Sequence, residues 1–258
     1  TEITTEANPN SATNIWQKDM FDYGVNRISF GVQSFDNNKL DFLARNHNKN
    51  DAINAINNAK DIGYKHINCD IIYDTKLDTK TLIKNDLEII SKLPIDHISA
   101  YSLTLEEGTL FYNKSDVKVE DENMARYIFA TLEKFGFSQY EISNFAKNIN
   151  SRCKHNIGYW EYEQYLGIGC GAVGCYNNQR TYTYKDVQKY IDNACEYEII
   201  EVLNKDDILM EKTLLGLRCI IGCDISLYSI AQQQKIQILN DNNKIKIIKN
   251  INKHIVIF

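Results

Sequence analysis

The six residues HNIGYW, 155–160, put an imidazole, an amide, a phenol and an indole into one short stretch. Such a set has two readings: a nitrogen ligand with an aromatic wall for something flat and apolar, or a histidine hydrogen-bonded within a core that contains Tyr159 and Trp160. A second set is dispersed. Glu6, Gln33, Arg45 and Asp70 bring carboxylates, an amide and a guanidinium to the ends of apolar runs or just beyond them. Singly, each fits a solvated strand end or a turn cap; together, with both signs of charge, they match a zwitterionic ligand. Metal chemistry has less to work with. The cysteines at 69, 153, 170, 175, 195, 219 and 223 are irregularly spaced. Neither Cys170 with Cys175 nor Cys219 with Cys223 has the nearby partners that zinc or an iron–sulfur cluster needs, which reads as reduced thiols used as small apolar groups.

For the dispersed set to converge, strand ends must be brought side by side. EITTEAN (2–8) reads as a strand, followed by a helix with Ile15, Trp16, Met20 and Tyr23 on one stripe and Gly24 at its end. NRISFGVQ (26–33) is a second strand, and Ala52, Ile53, Ala55, Ile56 and Ala59 mark a helix closing at Gly63. HINCDIIY (66–73), a helix carrying Leu82, Leu87, Ile90 and Leu93, and HISAYSLTL (97–105) complete the alternation. Strand and helix in turn imply parallel strands with crossover helices, either a doubly wound sheet or a (β/α) barrel, and both place ligands at the carboxyl ends of the strands. Glu6, Gln33 and Asp70 fall at or near such ends, and Arg45 opens the helical region after the second strand.

Beyond residue 115 the pattern changes. A helix near 120–135, the segment YEISNFA (140–146), a glycine-rich run YLGIGCGAVG (165–174) and helices around 186–196 and 206–217 follow. The tail from 236 to 258 alternates around an Asn-rich turn like a β-hairpin. GCGAVG (169–174) has the letters of the dinucleotide fingerprint, but Tyr176, Asn177, Asn178 and Gln179 follow where a helix should open. Its glycines are expected to admit close approach of another backbone segment or a ligand. The expected division is 1–115 and 116–258.

A chain of 258 residues, 43% apolar, can bury a substantial core. With a net charge of −5 and scattered basic residues it carries no footprint for nucleic acid. No apolar run reaches the roughly 20 residues of a membrane span, although peripheral membrane contact is left open, and TEITTEANPN has no signal-peptide features. A cytoplasmic protein is expected.

Read in order, TEANP, GVNRISFGVQSFD, LARNH, INCDIIY, HISAYSLTLEEGTLF, YEISNFAK, HNIGYW and YLGIGCGAVG closely resemble the heme chaperone HemW family. Its members are radical S-adenosylmethionine proteins of the oxygen-independent coproporphyrinogen III oxidase-like kind. The resemblance covers nearly the whole chain. It implies an α/β fold, a partial TIM-type (β/α) barrel of the radical SAM kind, followed by a smaller mixed α+β domain. It implies S-adenosylmethionine as the ligand of Glu6, Gln33, Arg45 and Asp70, an arginine being suited to pair with the methionyl carboxylate. It also implies heme as the ligand of His155, since HNxxYW marks the chaperones, and heme-acceptor proteins such as respiratory cytochromes as partners. Two departures stand out. The family's C-x3-C-x2-C motif for a [4Fe-4S] cluster and the glycine-rich strand end after it are missing, so the chain is expected to be N-terminally truncated and not to cleave S-adenosylmethionine as given. Asp74-Thr75-Lys76 stands where relatives carry Gly-Leu-Pro, which leaves the shape of that loop open. A radical decarboxylase of coproporphyrinogen III and an inactive truncated member with an open barrel edge are the rival readings.

Overall fold

A computed structural model describes residues 1–109, 111–193, 195–250 and 253–257. The chain packs as two compact units, 1–152 and 153–258. In the first, β1 (Thr4–Ala7), α1 (Asn14–Asp22), β2 (Arg27–Gln33), α2 (Asn37–Phe42), α3 (Lys49–Ile62), β3 (His66–Tyr73), α4 (Lys80–Ile90) and β4 (His97–Ser102) alternate as expected, with one helix more between β2 and β3. Arg45 therefore lies in the connection between α2 and α3, not at the opening of a single helical region. The helices start where the sequence supplies caps: Thr13 and Thr79 accept from Trp16 and Leu82 backbone N–H groups, and Asn48 with Asp51 forms a reciprocal capping box on α3. Gly63 ends α3 at φ +109, a left-handed conformation that glycine adopts without steric cost.

The four strands lie in the order β1-β2-β3-β4, all parallel. Right-handed crossovers between strands that never reverse their order put every helix on the same face. A doubly wound sheet needs a reversal point, so the sheet is singly wound, an arc of a (β/α) barrel. Side-chain alternation agrees. One face carries Ile28, Phe30, Val32, Ile67, Cys69, Ile71, Ile98 and Ala100, and this face meets Ala52, Ala55, Ile56 and Ala59 of α3 and Ile83, Leu87 and Ile90 of α4 in one core. The opposite face carries Ser29, Asn68, Asp70, His97 and Ser99.

The sheet continues past the expected boundary at 115. The amphipathic helix α5 (Glu122–Lys134) buries Ile128 and Leu132 in the same core, and β5 (Ser138–Gln139) and β6 (Asn144–Ala146) add antiparallel strands beyond β4. Residues 116–152 thus belong with the barrel unit, because their apolar positions are filled against its helices. The Asp74-Thr75-Lys76 loop is tied to this extension: Asp74 accepts from Asp121 N–H at 3.3 Å, and Lys76 N–H donates to Val117 O at 2.9 Å.

The second unit is mixed α+β. It comprises α6 (Lys154–Trp160), β7 (Val173–Tyr176), β8 (Gln179–Tyr182), α7 (Val187–Asp192), β9 (Ile199–Val202), α8 (Lys205–Gly216), β10 (Cys223–Asp224), α9 (Ile230–Asp241), β11 (Lys246–Asn250) and β12 (Lys253–Ile257). GCGAVG runs into the β7–β8 hairpin, not into a helix. Its glycine Gly174 packs on Gly167: a Cβ on Gly167 would stand 2.4 Å from Val173 O, and one on Gly174 2.9 Å from Gly167 N. The tail needs a correction. IQIL (236–239) belongs to α9, which Ser229 and Gln232 cap, and the hairpin is the shorter β11–β12 pair. A run of alternating residues shorter than two helical turns fits either period, and the capping box decided for the helix.

Candidate functional site

The polar face of the barrel unit is a hydrogen-bonded layer. Asn68 stands at its centre, its Nδ2 donating to Ser29 Oγ (2.8 Å), Ser99 Oγ (3.0 Å) and Asp70 Oδ1 (2.6 Å). Asn68 Oδ1 accepts, at 2.6 Å, from Nδ1 of His97, whose Nε2 meets the Tyr140 hydroxyl at 2.7 Å. Because an amide oxygen can only accept, His97 carries its proton on Nδ1 and takes the Tyr140 proton's hydrogen bond on Nε2. Burial, with Arg27 and His66 nearby, holds His97 well below the ordinary 6.5 and so neutral. In the sequence Asn68 and His97 stand out only as strand residues, and Tyr140 only as the first residue of YEISNFA. The period-two register of Asn68 and His97 on the polar face is the signal that would have found those two; Tyr140, outside the strands, has none.

At the carboxyl end this layer becomes acidic. Asp70 also accepts from Ser29 Oγ at 3.2 Å, yet burial raises its pKa to about 6, the hydrogen bonds opposing the rise and Glu6 adding to it. Glu6 and Asp70 therefore sit within electrostatic reach of one another. Tyr101, at the end of β4, is pushed up to about 12 by burial and then by Asp70, Glu141 and Glu6. Glu141, in the turn between β5 and β6, was not among the residues expected from the sequence.

Gln33 closes β2 with a left-handed φ of +69. Its side chain folds back over Gly31, where an added Cβ would come within 3.0 Å of Gln33 Nε2. The turn beyond it is held from α4, where Asp86 accepts from Ser34 Oγ (2.6 Å) and from Phe35 N–H (2.9 Å). Arg45 is steadied by its neighbour: His47, buried and kept below its ordinary pKa chiefly by that burial, donates through Nε2 to Val32 O at 3.0 Å. This bond fastens the segment bearing Arg45 to the end of β2. Gln33 Oε1 and Arg45 Nε are both buried with no hydrogen-bond partner among the described residues. An unmet acceptor at the end of β2 and an unmet guanidinium donor in the connection after it are each open to a polar group of a ligand.

In the second unit HNIGYW forms α6 almost entire. Helical spacing of four puts His155 and Tyr159 on one face, and their rings meet edge to face at 4.7 Å. Tyr159 then meets Tyr165, again edge to face at 4.7 Å. His155 and Tyr159 are exposed and Trp160 is half-buried. Tyr159 borders a cleft of about 330 Å³ with Tyr165, Arg180, Leu214 and Arg218, while Trp160 borders one of about 370 Å³ with Lys212, Leu227 and Tyr228. An exposed imidazole with flat rings beside it offers a nitrogen ligand and flat apolar contact area together.

The residues present do not fit an iron–sulfur cluster. Among the described residues no three His, Cys, Asp or Glu side chains are grouped so as to hold a metal ion, and the cysteines form no disulfide, Cys170 and Cys195 being exposed and the others buried. Nor is any described helix long and apolar enough to cross a membrane.

Comparison with known proteins bears on family and fold. Residues 1–98 match the radical SAM superfamily model. The chain is 37% identical over 226 residues to the heme chaperone HemW of Lactococcus lactis subsp. lactis, covering 84% of this chain and 59% of that protein. It is 33% identical over 232 residues to HemW of Bacillus subtilis, covering 86% and 61%. The chain thus spans about three-fifths of the length of these curated relatives. Among solved structures, coproporphyrinogen III oxidase (HemN) of Escherichia coli, described as a radical SAM enzyme, superimposes with a TM-score of 0.78 at 17% identity, over 100% of this chain and 66% of that one. That likeness shows the fold.

Proposed function

From a chain that belongs to the HemW family of radical SAM proteins, we propose a carrier that binds heme through its second unit and hands it to acceptor proteins such as respiratory cytochromes. The observation that supports this most directly is α6. Its one-face pairing of His155 with Tyr159 leaves an exposed imidazole beside an aromatic wall. Neutral imidazole is a sound ligand for heme iron, and the phenol rings of Tyr159 and Tyr165 supply flat contact area for the macrocycle. Exposure suits cargo that must leave again, since a ligand enclosed on all sides leaves slowly.

The barrel unit is proposed to hold S-adenosylmethionine through Glu6, Gln33 and Asp70 at or near the carboxyl ends of the strands and Arg45 in the connection after α2. Bound there together with a reducing cluster, S-adenosylmethionine supplies radical chemistry; this chain's residues position the molecule and no step is assigned to a cluster they do not hold. Neutral His97, Asn68 and the two serines keep Asp70 in place, and Asp86 and His47 fix the segments bearing Gln33 and Arg45.

A visible-absorbance titration of the full 258-residue chain with heme, beside His155→Ala, tests the carrier reading. The expected result is saturable binding weakened at least about tenfold by the substitution, the loss of one ligand bond being worth more than about 1.4 kcal/mol. Absence of saturable binding, or binding indifferent to His155, overturns it.

A further inference from the structure

The carboxyl end of the barrel unit contains a third carboxylate that the sequence comparison does not assign. Strand β6 runs antiparallel to β4 with Asn144 opposite Ser99, so the residues just before Asn144 lie beside the end of β4. Ala100 N–H donating to Ser143 O at 2.8 Å pins that turn. Glu141 is carried there, 3% exposed. Its Oε2 accepts from Ser143 N–H at 3.3 Å, whereas its Oε1 is buried with no hydrogen-bond partner among the described residues. Asn144, 4% exposed, also leaves its Oδ1 without a partner. None of the ion pairs among the described residues includes Glu141. Burial moves its pKa upward, opposed by neutral hydrogen-bond donors of Ser143, Asn144 and Ile142 but by no counter-charge.

Buried acceptors of this kind cost stability unless a donor arrives, and a buried carboxylate needs a positive one. The neighbouring charges, Glu6 and Asp70, are of the same sign, and all three raise the pKa of Tyr101 between them. A small metal ion is the wrong occupant, since these carboxylates do not close into a metal-holding group. An extended organic cation can reach several separated carboxylates at once.

We infer that Glu141 is a further binding residue of the barrel unit, taking a positively charged group of the ligand that Glu6 and Asp70 also hold, with Asn144 beside it as a second acceptor. The inference rests on the reading that S-adenosylmethionine binds at this end, and assigns its sulfonium or its ammonium group to Glu141.

Isothermal titration of the full chain with S-adenosylmethionine and with S-adenosylhomocysteine, in wild type, Glu141→Gln and Asp70→Asn, tests it. A loss of about tenfold for S-adenosylmethionine alone in Glu141→Gln assigns the sulfonium, and an equal loss for both ligands assigns the shared ammonium; either supports the inference. Wild-type affinity retained by Glu141→Gln for both ligands while Asp70→Asn loses them overturns it and leaves the binding reading standing. No binding by wild type overturns both. If Glu141→Gln does not fold, carboxyl NMR of the wild-type protein decides: added S-adenosylmethionine lowers the Glu141 titration midpoint, and an unmoved midpoint overturns the inference.

Discussion

The two units place polar chemistry in opposite ways. In the barrel unit Ser29, Asn68, His97 and Ser99 satisfy one another on the sheet's concave side, so Asp70 is held before any ligand arrives. In the second unit His155 and Tyr159 stand exposed on a seven-residue helix whose N-cap, Cys153, makes no side-chain capping bond. A buried network couples binding to stability, because each member removed leaves others unmet. Exposed rings couple weakly to the fold and can be matched to a transient cargo. The comparison therefore predicts that site substitutions in the first unit change folding, while those in the second change binding alone.

The severest test is Asn68→Ala. It strips partners from His97, Asp70 and two serines together, and urea unfolding should show a loss of about 3 kcal/mol in the barrel unit. A loss below about 1 kcal/mol would mean that the layer is not cooperative. Asp70→Asn sharpens the contrast with a smaller effect of the other sign. Because burial raises the folded pKa of Asp70 to about 6 from an ordinary 3.8, the folded state binds more protons than the unfolded one between those values. Its contribution is complete below 3.8 and disappears as pH rises through about 6. At pH 8 the ionised carboxylate is thus a liability, and Asp70→Asn should stabilise the unit by about 1–2 kcal/mol, with the gain shrinking below pH 6, while binding is lost. Equal denaturation midpoints for the two proteins at pH 8 would contradict this. His97 and His47 act oppositely. Their folded pKa values are depressed from 6.5, so they withdraw stability as pH falls below that value. The smallest effect is expected for His155→Ala, whose unfolding midpoint should correspond to a change within about 0.5 kcal/mol despite the loss of heme binding. A large destabilisation would make His155 a packing residue after all.

Much of the barrel unit was legible in its sequence because strand ends and helix caps are local signals. Asn8-Pro9, Gly24, Gly63 and the β-branched runs set the elements, and period-two patterning within HINCDIIY and HISAYS already separated apolar from polar faces. The alternation by itself did not choose between a doubly wound sheet and a barrel arc, since both produce it; the family resemblance implied the barrel, and the spatial order β1-β2-β3-β4 agrees. Glu141 was not legible, since its turn has no periodicity and acquires meaning through antiparallel pairing across 45 residues, Asn144 against Ser99. In the second unit the sequence named His155, Tyr159 and Trp160, but only the helix put the first two on one face and turned them outward. What the sequence determined by itself was the inventory of groups and the local elements, because caps, glycines and side-chain period act over a few residues. Tertiary structure decided which groups meet and which acceptors stay unmet, because convergence depends on long-range register.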